Sequence, residues 1–220
     1  MNEFRGKLIE WRGRHFKAAE GTLHPAYSLD TFDEERPFRE AHWGIKEGDV
    51  VFDVGASYGA YALSALSDGA AMVHAFEPEP SVWADLMLNL EINDWNAKCV
   101  ATCVGLWSEA GEIDMHVYAP HWPQHTISGK YKSETLDNIV RSRGVDRMDW
   151  LKIDVEGAEM EVLMGGRESI ERLKPEIIVE VHSFLDETLL PRVSGFLMTM
   201  GYQIVGFPRE PCTMLVGKAR

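Results

Sequence analysis

The chain has 220 residues, enough for a domain with a substantial core, and 45% of them are hydrophobic. Its 22 Lys and Arg against 35 Asp and Glu leave a formal net charge of -13, which repels a phosphate backbone and argues against a nucleic-acid substrate. No uninterrupted apolar run reaches membrane-spanning length, Met1 to Lys17 is polar and mixed in charge, unlike a signal or an anchor, and Cys99, Cys103 and Cys212 form no Cys-x-x-Cys pair. These features lead us to expect a cytoplasmic protein with reduced core cysteines, no membrane partner, no disulfide framework and no zinc site.

Residues 1–47 precede the first strand-like run and carry aromatic and basic groups, among them Trp11, Arg12, Arg14, His42 and Trp43. They are expected to form an extension packed on the core of a main domain over 48–220, either capping a ligand site or covering a sheet edge. Val50 to Val54 is a buried parallel strand by its continuous apolar pattern, and Gly55 and Gly59 close a tight turn into a helix over Ala60 to Leu66. A second strand, Met72 to Phe76, ends in Glu77-Pro78, where a carboxylate can accept hydrogen bonds from two adjacent ribose hydroxyls. Gly59 lacks a Cβ and lets helix and cofactor pack closely. The spacing Asp53-x-Gly55-x-x-x-Gly59 departs from the dinucleotide fingerprint Gly-x-Gly-x-x-Gly, so the expected cofactor has a ribose without a pyrophosphate, which S-adenosylmethionine satisfies.

Further along, a helix is expected over Ser81 to Asn93 with Ser81 as its N-cap, then strands over Lys98 to Val104 and Glu112 to Tyr118. The loop Ala119 to Lys132 contains His121, Trp122 and His125 and is read as a substrate loop. The four-residue spacing of the two histidines suits metal ligation on a helix, but Pro123 between them breaks a helix, and no metal is expected. A short helix over Thr135 to Arg143, a strand over Trp150 to Ile153, one helix from Glu159 to Leu173 and a strand over Pro175 to His182 follow. A helix over Glu187 to Met200 and two closing strands, Tyr202 to Val205 and Thr213 to Gly217, complete an alternating α/β pattern and a three-layer domain.

Phe52-Asp53-Val54-Gly55-Ala56-Ser57-Tyr58-Gly59, Ala75-Phe76-Glu77-Pro78, Thr135-Leu136-Asp137, Leu151-Lys152-Ile153-Asp154-Val155-Glu156-Gly157-Ala158-Glu159 and Glu180-Val181-His182 occur in that order. Together they resemble the FkbM family of S-adenosylmethionine-dependent methyltransferases over roughly residues 48–218. The resemblance implies a Rossmann-like class I methyltransferase fold, three-layer α/β/α with a mostly parallel seven-stranded sheet. It also implies methyl transfer to a hydroxyl oxygen, often of a sugar, glycan, polyketide or other small metabolite. By position, Asp53, Gly55, Ala56, Tyr58, Gly59 and Asp154 would line the cofactor, Glu77 would hold the ribose, and Pro78 and Val104 would border the adenine. Ser57-Tyr58 stand where many relatives have Asn followed by an aliphatic residue.

The sulfonium is an activated donor, so the protein must align an oxygen nucleophile and take its proton. Three groups compete for that proton: Asp154, Glu156 and His182, the last being the only one whose ordinary titration lies near neutrality. Two other readings stay open. One is a non-catalytic cofactor-binding or partner protein that keeps the fold. The other is a nicotinamide-dependent oxidoreductase, disfavoured by the missing third glycine and the absence of a Tyr-x-x-x-Lys dyad.

Overall fold

The computed structural model describes residues 6–11, 14–19, 44–117, 127–209 and 212–219. A hairpin of Gly6–Trp11 (β1) and Arg14–Ala19 (β2) comes first. Val50–Val54 (β3), Ala60–Asp68 (α1), Met72–Phe76 (β4), Pro80–Ile92 (α2) and Cys99–Thr102 (β5) then alternate as expected. Gly105–Leu106 (β6), Gly111–Val117 (β7), Ile127–Glu134 (β8) and Leu136–Ser142 (α3) follow. The remaining elements are Trp150–Ile153 (β9), Glu159–Gly165 (α4), Arg167–Leu173 (α5), Glu176–Val181 (β10), Leu189–Thr199 (α6), Tyr202–Arg209 (β11) and Cys212–Ala219 (β12).

Seven strands form one sheet in the order β11-β12-β10-β9-β3-β4-β5. The five strands from β10 to β5 run parallel, and β12 lies antiparallel between β10 and β11. The chain moves outward from β3 through β4 to β5, then returns to the other side of β3 at β9. That reversal opens a crevice beyond the carboxyl ends of β3 and β9, the place where open α/β sheets bind ligands.

Side-chain alternation sets the layers. Phe52, Leu151 and Ile153 point into a core shared with α3 to α6, including Leu136, Ile139, Leu163, Ile170 and Val193. Val51, Trp150 and Ile178 point the other way, onto Ala62, Leu63 and Leu66 of α1 and Leu86 and Leu90 of α2. Full burial of each large side chain contributes roughly 1.5–3 kcal/mol, so both faces hold the sheet in place.

Four expectations need correction. The α2 N-cap is Glu79, whose carboxylate accepts from the Val82 amide at 2.7 Å, while Ser81 donates its hydroxyl to Glu79. Part of the expected loop is strand β8, which pairs antiparallel with β7 and parallel with β6 in a separate three-stranded sheet. Its sequence, Ile-Ser-Gly-Lys-Tyr-Lys-Ser-Glu, is too polar to show strand periodicity and is held by backbone pairing. The β1–β2 hairpin was likewise hidden within the N-terminal extension, and the other residues before 44 lie outside the described ones.

The fourth correction concerns the expected helix over 159–173, which is two helices meeting at Gly165-Gly166. A Cβ on Gly165 would fall on the Trp107 carbonyl oxygen, and one on Gly166 would lie 2.6 Å from Leu136 Cδ2, so this close crossing excludes side chains. Asp137 then caps α5, accepting from the Glu168 amide at 3.1 Å and the Ser169 amide at 2.7 Å.

Replacing Gly165 by Ala is expected to destabilise the protein by about 3 kcal/mol through overpacking. Gly195→Ala, in the middle of α6 with nothing within 4 Å of the new Cβ, is expected to stabilise it by about 1 kcal/mol. Urea denaturation of the two variants beside the parent checks the opposite signs.

Candidate active site

The loop after β3 is tied to β4 by its backbone. Gly55 and Ala56 both donate their amides to the Phe76 carbonyl, at 3.0 and 2.9 Å, and Gly59 donates to Ala56 at 2.8 Å. Gly55, Ser57 and Gly59 have φ of 74°, 49° and 91°, so three of five consecutive residues are left-handed. A Cβ on Gly55 would fall on the Asp154 carbonyl oxygen and one on Gly59 on the Leu86 side chain. Ser57 bears a left-handed conformation that costs a non-glycine residue about 1 kcal/mol, and in return its amide faces Glu77.

Glu77 is buried at the end of β4. Its two oxygens each accept one backbone amide, from Ser57 and from Glu79, both at 3.0 Å. Burial pushes its carboxyl up to about 7, against the lowering effect of those two amides. Each oxygen keeps a lone pair for a further donor, as a ribose diol requires.

Across the crevice, β9 sets Lys152 opposite Asp53 in the parallel register. The ammonium lies 3.0 Å from the Gly55 carbonyl, 3.1 Å from Asp53 Oδ1 and 3.5 Å from Asp154 Oδ2. Burial alone would discharge this lysine, but the charges of Asp53 and Asp154 overcome it and hold it above its ordinary value. Burial raises Asp53, and Lys152 opposes that rise.

Beyond Asp154 the chain turns through Glu156 and Gly157, at φ 51° and 103°. This turn faces His182, at the end of β10. The imidazole Nδ1 pairs with Glu159 Oε1 at 2.7 Å, while Nε2 lies 3.3 Å from Glu156 Oε2 and 3.8 Å from Asp154 Oδ1. Burial alone would lower the histidine. Hydrogen bonding to the Cys212 sulfur and to Glu159, with the charges of Asp154 and Glu156, instead pushes it up to about 12. His182 is therefore an imidazolium at neutral pH, with no free lone pair for a proton. Burial raises Glu156, with His182 opposing, yet its side chain is 49% exposed.

The sequence profile of the Methyltransferase FkbM domain matches residues 53–204, which include both halves of this crevice. The chain belongs to the FkbM methyltransferase family.

It is 28% identical over 199 residues to methyltransferase sdnD of Sordaria araneosa, covering 73% of this chain and 76% of that protein. It is 28% identical over 203 residues to the 31-O-demethyl-FK506 methyltransferase FkbM of Streptomyces tacrolimicus, covering 73% and 75%. The hexuronic acid methyltransferase AglP of Haloferax volcanii is 30% identical over 146 residues, 64% of this chain and 59% of AglP. The crystal structure of methyltransferase FkbM from Methylobacillus flagellatus superposes with a TM-score of 0.65 at 21% identity, over 82% of this chain and 46% of that one. Aeropyrum pernix fibrillarin with natively bound S-adenosyl-L-methionine has a TM-score of 0.54 at 14% identity, over 96% and 82%. These likenesses identify a class I methyltransferase fold, and family membership favours methyl transfer over the nicotinamide reading.

Within this FkbM-family chain, the residues singled out from sequence are spread unevenly. Gly55, Ala56, Gly59 and Glu77 gather on the β3–β4 side, and Asp154, Glu156 and His182 on the β9–β10 side. Tyr58 is half-buried beside them, its backbone carbonyl accepting from Asn89 Nδ2 at 2.9 Å. Pro78 packs near Gly105, where a Cβ would lie 3.5 Å from Pro78 Cβ, and Val104 is buried next to it. Asp53 is fully buried, with Oδ1 3.1 Å from the Lys152 ammonium. His121, Trp122 and His125 lie outside the described residues.

Motif reasoning passed over the roles of Lys152 and the Ser57 amide, and it reads Glu159 as an acid in the first turn of a helix, whereas its side chain pairs with His182. Lys152 stands out in the sequence as a cation inside an otherwise apolar strand. Ligand atoms of Asp154, Glu156 and His182 lie within 4.8 Å of one another, a set able to hold a cation, though a metal would first have to displace the His182 proton.

His182 makes a testable contribution to stability. Its folded pKa lies above the ordinary 6.5, so its stabilising effect is complete below pH 6.5 and is lost as pH rises toward about 12. The expected outcome is a steeper fall in unfolding free energy from pH 7 to pH 10 for the parent than for His182→Gln, measured by chemical denaturation.

Proposed function

We propose that this chain transfers the methyl group of S-adenosylmethionine to a hydroxyl oxygen of a small metabolite, sugar, glycan or polyketide. The observation that carries the reading is the pairing, across one crevice, of a buried diol-accepting carboxylate, Glu77, with the partly exposed Glu156 and Asp154 set around an imidazolium. When bound, the cofactor supplies an electrophilic methyl group on sulfur. Glu77 holds the ribose hydroxyls, the Gly55–Gly59 loop approaches the cofactor closely, and Pro78 with Val104 borders the adenine.

Asp154, set between the Lys152 ammonium and the His182 ring, suits the cofactor's ammonium group. Glu156 suits the proton of the acceptor hydroxyl, because burial makes it more basic than an ordinary carboxylate while half of it stays exposed. Glu156 would take the proton of the acceptor hydroxyl as that oxygen receives the methyl group, which a bound cofactor would release with the bonding pair left on its sulfur. His182 holds Glu156 and Asp154 in place and acts as a positioning residue. Phe184 and Leu185, 51% and 54% exposed beyond His182, offer an apolar rim to an acceptor.

The names of the relatives support acceptors of this kind. One methylates demethyl-FK506, and another is named for hexuronic acid. Incorporation of isotopically labelled methyl into a panel of hydroxylated acceptors tests the reaction. Glu156→Gln is expected to lower transfer about 100-fold while leaving cofactor affinity nearly unchanged. An equal loss in cofactor affinity would remove Glu156 from the base role.

Glu77 predicts a pH dependence of binding. Ribose hydroxyls require the ionised carboxylate, and its pKa of about 7 means that protonation competes with the cofactor on the acid side. Affinity for S-adenosylmethionine is expected to weaken about tenfold per pH unit below 7 and to level off above it. Titration calorimetry from pH 5.5 to 8.5 checks this, and Glu77→Gln is expected to bind more weakly with a flatter profile.

A further inference from the structure

Lys152 is the cation on which both sides of the crevice converge, and we propose that it is a positioning residue for cofactor binding. Its ammonium staples the β3–α1 loop to the β9–α4 turn and holds Gly55 and Asp154 at the spacing that the cofactor requires. The inference rests on the methyltransferase reading above.

The geometry is specific. The ammonium donates to Gly55 O at 3.0 Å and forms ion pairs with Asp53 Oδ1 at 3.1 Å and Asp154 Oδ2 at 3.5 Å. The side chain is 12% exposed, so water has little access to replace any of them. The Tyr61 ring centroid lies 5.9 Å from the same nitrogen and closes the remaining side. Gly55 and the Asp154 carbonyl are already in contact, with no room for a Cβ between them. Two carboxylates and a carbonyl at such range repel one another, and only a buried cation keeps them together. Lys152 thus fixes which way Asp154 turns: Oδ2 toward the ammonium, and Oδ1 toward His182 Nε2 at 3.8 Å.

Positioning and simple charge have opposite signatures. S-adenosylmethionine carries one more positive charge than its demethylated product. If Lys152 only set the local charge, removing it would tighten the sulfonium form relative to the product. If it positions the two loops, its removal weakens both ligands alike.

The test is calorimetric titration of the parent, Lys152→Met, Lys152→Arg, Asp154→Asn and the Lys152→Met/Asp154→Asn double variant with S-adenosylmethionine and its demethylated product. Circular dichroism is recorded on each. Lys152→Met is expected to lose about tenfold or more in affinity for both ligands, with their ratio preserved. In the Asp154→Asn background the same change is expected to cost at least about threefold less than in the parent, because Asp154 is one of the two ends that Lys152 joins. Lys152→Arg keeps the charge but cannot bring one nitrogen to three acceptors, and it is expected to show a similar loss even if Lys152→Met fails to fold. Parent-like affinity in either folded Lys152 variant overturns the proposal, as does tighter sulfonium binding with unchanged product binding. A parent protein that binds neither ligand overturns the methyltransferase reading itself, which is a separate result.

Discussion

A buried ammonium among two carboxylates organises the centre of this molecule. Lys152 and Asp53 face each other in neighbouring parallel strands, so the register of β3 against β9 decides whether two charges that have left water are paired or stranded. A one-residue slip would turn one of the two side chains onto the opposite face and leave both unpaired, at a large cost. β3 and β9 flank the topological switch point, so the same pairing lies beneath the carboxyl ends at which open α/β sheets bind ligands.

Above that pair the charges divide the labour. On one side, backbone amides from Ser57 and Glu79 donate to Glu77 and fix the orientation of its carboxylate. On the other, one imidazolium is shared by Glu159, Glu156 and Asp154. Glu159, fully buried, anchors Nδ1 from below. Nε2 is left to draw in the two carboxylates that reach the crevice. The turn that brings Glu156 to His182 passes through left-handed backbone at Glu156 and Gly157.

Much of the core was legible along the chain because its signals are local. The parallel strands are continuous apolar runs, and the Gly55 and Gly59 turn, the acid closing β4 and the Lys-Ile-Asp-Val-Glu-Gly block all announce themselves in a few residues. The missed features depend on partners distant in sequence. Strand β8 exists because β6 and β7 pair with it. The helix over 159–173 breaks because Trp107 and Leu136 lie where side chains at Gly165 and Gly166 would go, and because Asp137 caps the second half. Asp137 is itself part of the Thr-Leu-Asp motif, whose work here is structural.

Sequence by itself determined the class of fold, the family and the residue types available to the crevice, since spacing and apolar pattern encode which segments are buried and which turns must be tight. Tertiary structure alone decided the state of those residues. An isolated histidine titrates near neutrality and reads as a base. Enclosed by Glu159, Glu156 and Asp154 and hydrogen-bonded to Cys212, the same ring is pushed up to about 12 and holds its proton. Likewise, Lys152 is an ordinary cation in a strand until Asp53, Asp154 and the Gly55 carbonyl meet around it. The physical reason is that charge state and hydrogen-bond partnership depend on burial and distance, which the chain acquires only when segments roughly a hundred residues apart fold against each other.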